Sequence, residues 1–178
     1  MIMRWQPARQ TSRDRKRGRV ALALTLIAGS LIALSVHQKV PAVVYNPSAS
    51  APLGYYRTLP ATPLKWGDWV LVEAPDFARR LADSRGYLPA NVPMIKAVAA
   101  LAGDRICADG NRITINGTVA AVRLRIDHRG RPLPWWTGCR TLTNGEIFVL
   151  NRAAPSSFDG RYFGPMSRQS VLARLVHL

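Results

Sequence analysis

Lys96 interrupts an otherwise apolar run, Val92-Pro93-Met94-Ile95-Lys96-Ala97-Val98-Ala99-Ala100-Leu101. Strand pairing there surrounds the amine with apolar neighbours, and burial lowers an amine's pKa because desolvation disfavours the charged form. An ordinary lysine is neutral in only about one molecule in 2,500 at pH 7. A downward shift of about three units, costing roughly 4 kcal/mol, makes it a usable general base. The plainer reading puts the same lysine on the outward face of a strand, charged and in water. A base also needs a nucleophile, and Asn46-Pro47-Ser48-Ala49-Ser50-Ala51-Pro52-Leu53-Gly54-Tyr55-Tyr56 offers two hydroxyls. Its prolines and small residues favour an extended loop that another backbone can approach. A serine attacks a carbonyl once a neighbouring base takes its proton, and a neutral lysine can be that base. Without such a partner, Ser48 and Ser50 belong to an ordinary turn.

The elements that must position these groups read as short strands between turns. Trp69 to Glu73 is strand-like after Trp66-Gly67-Asp68, and residues 92–101 follow as a second apolar run ending at Ala102-Gly103-Asp104. Between them, residues 75–85 carry Phe77, Leu81 and Ala82 at helical spacing behind a proline. Arg112 to Ile115 and Thr118 to Ala120 flank Asn116-Gly117, a strong hairpin signal. Ile147 to Leu150 and residues 170–176 complete the pattern. Several strands against one short helix predict a mainly β domain.

Composition bounds the rest. The chain has 178 residues, 48% apolar and 20% charged, with a formal net charge of +15. That suits one domain with an appendage and excludes wholesale disorder. All but four of its 25 basic residues are arginine. Seven of them fall in residues 4–19 beside a single acid, and residues 20–36 then carry no charge. A basic stretch before an apolar run holds that side in the cytoplasm. The run makes about 26 Å of helix, at the short end for a bilayer, with His37, Gln38 and Lys39 able to snorkel at its far end. The expected organisation is a basic cytoplasmic tail over 1–19, a transmembrane anchor over 20–38, and an exported domain over 40–178. A signal peptide cleaved near Ala33-Leu34-Ser35 is the alternative, and the long basic region favours the anchor. The remaining charge is dispersed, so nucleic acid is not an expected partner. Cys107 and Cys139 are the only cysteines, both in the exported part, where an oxidising compartment allows them to pair. Two cysteines without clustered histidines or carboxylates make no zinc site, and no metal or cofactor is implied. His37, His128 and His177 lie outside the Ser50 and Lys96 segments, and a Ser/His/Asp triad would need one of them beside Ser50.

Three segments taken together carry a resemblance: SASAPLGYYR at 48–57, PMIKAVAALAGD at 93–104 and SFDGRYFGP at 157–165. In this order they resemble the membrane-anchored Ser/Lys type I signal peptidases. Other features resemble the conjugative-transfer branch of TraF-type pilin-processing peptidases. Pro52 stands two places after Ser50, Arg85-Gly86-Tyr87-Leu88-Pro89 precedes the lysine segment, and Cys107 and Cys139 flank Asp127, Gly130-Arg131 and Leu133-Pro134.

The resemblance implies a signal-peptidase-like β domain with a short helical insertion, behind one N-terminal transmembrane helix. It implies Ser50 as nucleophile and Lys96 as general base. Ser48 would help the Ser50 N–H hold the oxyanion, a donor worth about 3 kcal/mol in such sites. Ser157 would orient the amine, with Asp159 and Arg161 beside it; read alone, those two make a weak surface ion pair. Gly160 stands where the family has a small polar residue, a departure expected to matter little. The implied activity is cleavage, or cyclisation, of a pilin precursor or other exported preprotein at the outer leaflet of a bacterial inner membrane, with the apolar loop 49–53 against lipid. Two other functions use the same residues: a general type I signal peptidase, and a non-catalytic anchored β scaffold of a secretion apparatus in which Lys96 is exposed.

Overall fold

Two-residue alternation of buried and open side chains marks the strands, as the pleat requires. It is clearest in Val171–His177, where Val171, Ala173 and Leu175 are buried and the intervening residues are not. The computed structural model describes residues 19–26 and 40–178. Residues 19–26 are helical. The rest of the expected basic tail and anchor lies outside the described residues, among which no helix is long and apolar enough to cross a membrane.

Residues 40–178 form two antiparallel sheets. The larger has seven strands in the order β1 (Val43–Asn46), β2 (Gly54–Leu59), β11 (Val171–His177), β3 (Trp69–Val72), β4 (Met94–Ala100), β9 (Glu146–Val149) and β10 (Met166–Ser167). The smaller has β7 (Thr118–Val122), β6 (Arg112–Ile115), β5 (Arg105–Asp109) and β8 (Gly138–Thr141), and it is inserted in the chain between β4 and β9. Only two α-helices occur in this part, α1 (Asp76–Ser84) between β3 and β4, and α2 (Gly160–Phe163) after β9. The expected mainly β domain with a short helical insertion is the observed one.

The β6–β7 turn is the one its sequence asks for. Asn116 and Gly117 both have positive φ, 51° and 81°, which a two-residue primed turn needs. Cys107 and Cys139 face each other on β5 and β8 and form a disulfide. The core gathers Val70, Val72, Val98, Ile147 and Val149 with α1, which contributes Ala78 and Ala82. Phe77 stays exposed, so the inward face of α1 is set by its alanines rather than by the larger side chain. A second cluster joins Ile106 and Ile113 of the small sheet to Phe148 and Leu150, so the two sheets share a core at the β9 end.

Candidate active site

Strand β4 is flanked on both sides, by β3 and by β9, and Lys96 sits opposite Val70 in its middle. The outward-facing reading therefore fails: Lys96 is 5% exposed. Its Nζ donates to Ser157 Oγ at 2.9 Å. Burial pushes the amine's pKa down to about 8; the Asp159 carboxylate opposes the shift and the Arg161 guanidinium adds to it. At that value about one amine in eleven is neutral at pH 7, enough for a working base.

Ser157 itself is buried, and its neighbours are fixed by an ion pair at the start of α2. Asp159 caps this helix, accepting from the Arg161 N–H at 3.1 Å and from Arg161 Nε at 2.9 Å through Oδ1. Its Oδ2 accepts from Arg161 Nη2 at 2.9 Å and from the Asn151 N–H at 3.0 Å. Arg161 spends its other donors on the carbonyls of Asn151, Ala154 and Pro155, each at 2.8 Å. Both side chains are buried, so this is not the surface pair that the two residues alone suggest. A buried pair is tolerable only when its remaining donors and acceptors are met, as they are here. Gly160 between them also departs from expectation. A Cβ there would lie 2.6 Å from the Val149 carbonyl oxygen and 2.6 Å from the Phe148 ring, so glycine is what lets α2 close against β9.

The serine loop between β1 and β2 is held by side-chain donors in place of regular structure. Asn46, buried at the end of β1, gives its Nδ2 to the carbonyls of Ser48, Ala51 and Pro52, and its Oδ1 accepts from the Ser48 N–H at 3.1 Å. Tyr56 also donates to the Pro52 carbonyl at 2.7 Å, and His177 Nε2 bonds the Leu53 carbonyl at 2.9 Å. His177 thus props the loop and does not reach a serine hydroxyl. Within the loop, Ser48 Oγ and Ser50 Oγ are 2.9 Å apart, and the Ser50 N–H donates to Ser48 Oγ at a long 3.3 Å.

The structure therefore brings the predicted residues together as two sets, Ser48 with Ser50 and Lys96 with Ser157, Asp159 and Arg161. No hydrogen bond joins Ser50 to Lys96. What links the sets is Asn151, which sequence reasoning passed over. Its Nδ2 donates to the Ser50 carbonyl at 2.7 Å and to the Ile95 carbonyl at 3.3 Å, while Oδ1 accepts from the Ala97 N–H at 2.9 Å. One buried carboxamide thereby grips both neighbours of Lys96 and the backbone of Ser50. Its sequence signal was faint, a lone asparagine ending a strand, which reads as a turn residue.

Ser50 and Asn151 also line a cleft of about 220 Å³ with Trp66, Ala97, Val98 and Leu150 among its walls. Among the described residues, no group of three His, Cys, Asp or Glu side chains is placed to hold a metal ion.

The profile of the signal peptidase family, peptidase S26, matches residues 15–178. The chain belongs to the S26 signal peptidases. Two plasmid transfer proteins TraF from Escherichia coli are similar to it: one is 31% identical over 86% of this chain and 91% of its own length, the other 30% over 71% and 77%. A probable conjugal transfer protein TraF of Sinorhizobium fredii is 34% identical over 71% of each chain. A crystal structure of a signal peptidase I from Enterococcus faecalis aligns with a TM-score of 0.38 at 19% identity, covering 65% of this chain and 98% of that one.

In this member of the S26 family, two further segments are pinned together through Asp127. Its carboxylate accepts from Tyr87 and from Arg131 Nε at 2.7 Å, and the N–H groups of Arg129 and Arg131 donate to it at 2.8 and 2.9 Å. Burial pushes this carboxyl's pKa up, but the bonds from Tyr87, Arg131 and Arg129 outweigh it and hold the group well below the usual carboxylate range. Arg85 adds a donor to the Pro132 carbonyl at 2.7 Å. The Arg85–Pro89 segment and the Asp127–Pro134 loop, noted separately in the sequence, are thus one structural unit.

Proposed function

We propose that this chain is a membrane-anchored serine endopeptidase with a Ser50/Lys96 dyad, acting on a pro-pilin for conjugative transfer. The observation that carries the reading is the buried Lys96 amine, depressed to about 8, oriented by Ser157 and tied through Asn151 to the Ser50 loop. The TraF names of its relatives supply the conjugative setting. The proposed site faces the periplasm from a single-pass anchor in the inner membrane, a compartment that suits the Cys107–Cys139 disulfide.

Turnover begins when a peptide carbonyl following small residues enters the cleft and Ser50 Oγ exchanges Ser48 for the Lys96 amine. Hydrogen bonds of this kind are often absent before substrate binds. Neutral Lys96 takes the Ser50 proton as Oγ attacks the carbonyl carbon. The Ser50 N–H and the Ser48 hydroxyl, which hold one another only at 3.3 Å in the free protein, turn to the developing oxyanion. The leaving amine takes the proton from the Lys96 ammonium, and an ester on Ser50 remains. Lys96 then takes a proton from a water as it attacks the ester and returns it to Ser50 Oγ as the ester bond breaks, releasing the acid. If the substrate's own amine attacks instead, the product is a cyclic peptide.

Mass spectrometry of a co-expressed pilin precursor tests this. Wild type is expected to yield a shortened or circularised product, and Ser50→Ala and Lys96→Ala only the intact precursor. Normal processing by Ser50→Ala overturns the assignment. Acylation of Ser50 by a penem-type inhibitor separates the enzyme from a non-catalytic scaffold. Rescue of a housekeeping signal peptidase defect would favour a general signal peptidase.

A further inference from the structure

The cleft beside Ser50 is small and apolar along its floor, where Ala97, Val98 and Ala99 of β4 meet Leu150. Its rim is different. Trp66, from the loop before β3, is 65% exposed, and Arg152, from the loop after β9, is exposed opposite it. The Arg152 guanidinium carbon stands 5.4 Å from the centroid of the Trp66 ring. Among the described residues, Arg152 is the one charged side chain lining the cleft. Arg161, nine residues on, has its donors committed to Asp159 and to backbone carbonyls, whereas Arg152 has no carboxylate partner among the described residues. Asp68, the acid nearest Trp66 in sequence, already accepts from the Lys65 N–H at 2.8 Å.

A planar guanidinium resting on an aromatic face keeps its edge donors free and loses less freedom on gaining a partner than a loose side chain does. The partner its fork matches is a carboxylate. Phosphate fits the same fork, but Arg152 belongs to a cleft that also contains the serine and apolar walls for small side chains, which a lipid headgroup does not use. We propose that Arg152, backed by Trp66, is a specificity-determining residue, and that the cleft takes a peptide bearing an Asp or Glu side chain within a few residues of the small scissile position. The proposal rests on the reading of Ser50 as the peptide-processing nucleophile.

The test uses full-length protein in detergent and paired peptides that share a small-residue scissile site and differ only in Glu, Gln or Lys at the flanking position. Wild type is expected to favour Glu over Gln in kcat/KM by about two- to fivefold, the range of an exposed ion pair. Arg152→Gln should bring that ratio to about one, and Arg152→Glu should invert the order to favour Lys. A variant that merely misfolds cannot invert a preference. The same ratios are read as binding, by fluorescence anisotropy, on Ser50→Ala protein. A wild-type ratio of one, or a ratio unmoved by Arg152→Glu, overturns the proposal while leaving the peptidase reading intact. Charge-selective binding without cleavage by wild type overturns the peptidase reading and keeps Arg152 as a recognition residue. If Arg152→Glu weakens binding to phosphatidylglycerol vesicles and leaves the peptide ratios fixed, the arginine faces lipid and the proposal is wrong.

Discussion

The Asn151 carboxamide donates to the backbone carbonyl of Ser50 at 2.7 Å, across 101 positions of sequence. Because the same side chain bonds the backbone on both sides of Lys96, one residue ties the segment of the proposed nucleophile to that of the proposed base. Asn151→Ala leaves the part-buried Ala97 N–H and Ser50 carbonyl without these partners, at about 1–3 kcal/mol of stability for such a loss. Displacing the reacting groups by even about 1 Å costs on the order of a hundredfold in rate. We expect the acylation rate to fall far more than the melting temperature, with kcat affected more than KM. Single-turnover acylation alongside a thermal melt checks this. An acylation rate that falls no more than the folded fraction would make Asn151 structural only.

The lysine sets a pH dependence whose sign is fixed. In the proposed mechanism the neutral amine is the active form, so the acylation rate should rise with pH and reach half its plateau near 8, the value to which burial pushes Lys96. A rate profile that is flat from pH 6 to 10 would contradict a lysine base. Stability follows the same group. Between about 8 and the ordinary lysine value, the unfolded chain binds a proton that the folded chain does not, so the wild-type fold gains stability as pH rises through that window. Lys96→Met removes the linkage. Its stability relative to wild type should be highest near neutrality, by up to about 3 kcal/mol less the loss of the Ser157 partner, and should shrink toward pH 10.5. Denaturant melts at several pH values measure the difference.

How much of this was legible in the sequence depends on where the local signal lay. Strands β3, β4, β9 and β11 are largely apolar runs, so each declared itself, as did the Asn116-Gly117 turn. Strands β1 and β8 did not, because β1 buries only Asn46 and all four residues of β8 are exposed, leaving no apolar period to detect. They are defined by partners distant in sequence. The same distinction holds at the site. Lys96 was conspicuous as a charge inside an apolar run, and Ser48 and Ser50 came through the resemblance of the whole motif. Asn151 was silent because its importance lies entirely in three contacts with other segments. Burial of Asp159 and Arg161 was equally out of reach, since two opposite charges two residues apart look the same on a surface as in a core.

Gly160 illustrates a local rule overridden by packing. A small polar residue at this position looks interchangeable with glycine, yet the space for a Cβ is occupied by the Val149 carbonyl and the Phe148 ring. Gly160→Ser should therefore force α2 away from β9 and cost about 1–3 kcal/mol, the range for overpacking a close-packed site. Because α2 carries Arg161 and is capped by Asp159, the loss should extend to function, with a reduced acylation rate even in the folded fraction. An unchanged melting temperature and rate for Gly160→Ser would show that the backbone yields at little cost.

The disulfide separates stability from chemistry. Cys107 and Cys139 join β5 to β8 in the smaller sheet, 32 residues apart, whereas Lys96 and Ser157 belong to the larger sheet and the α2 approach. Closing a loop of that size stabilises by a few kcal/mol, chiefly by restricting the unfolded chain. The Cys107→Ser, Cys139→Ser double variant should melt well below the wild type and, at temperatures where it remains folded, acylate Ser50 at a rate within about twofold of wild type, since none of the hydrogen bonds at the dyad involves β5 or β8. Reduction of the wild-type protein should reproduce the lower melt. A large rate loss in the folded double variant would instead mean that the small sheet transmits its order to the serine loop through the core it shares with Phe148 and Leu150.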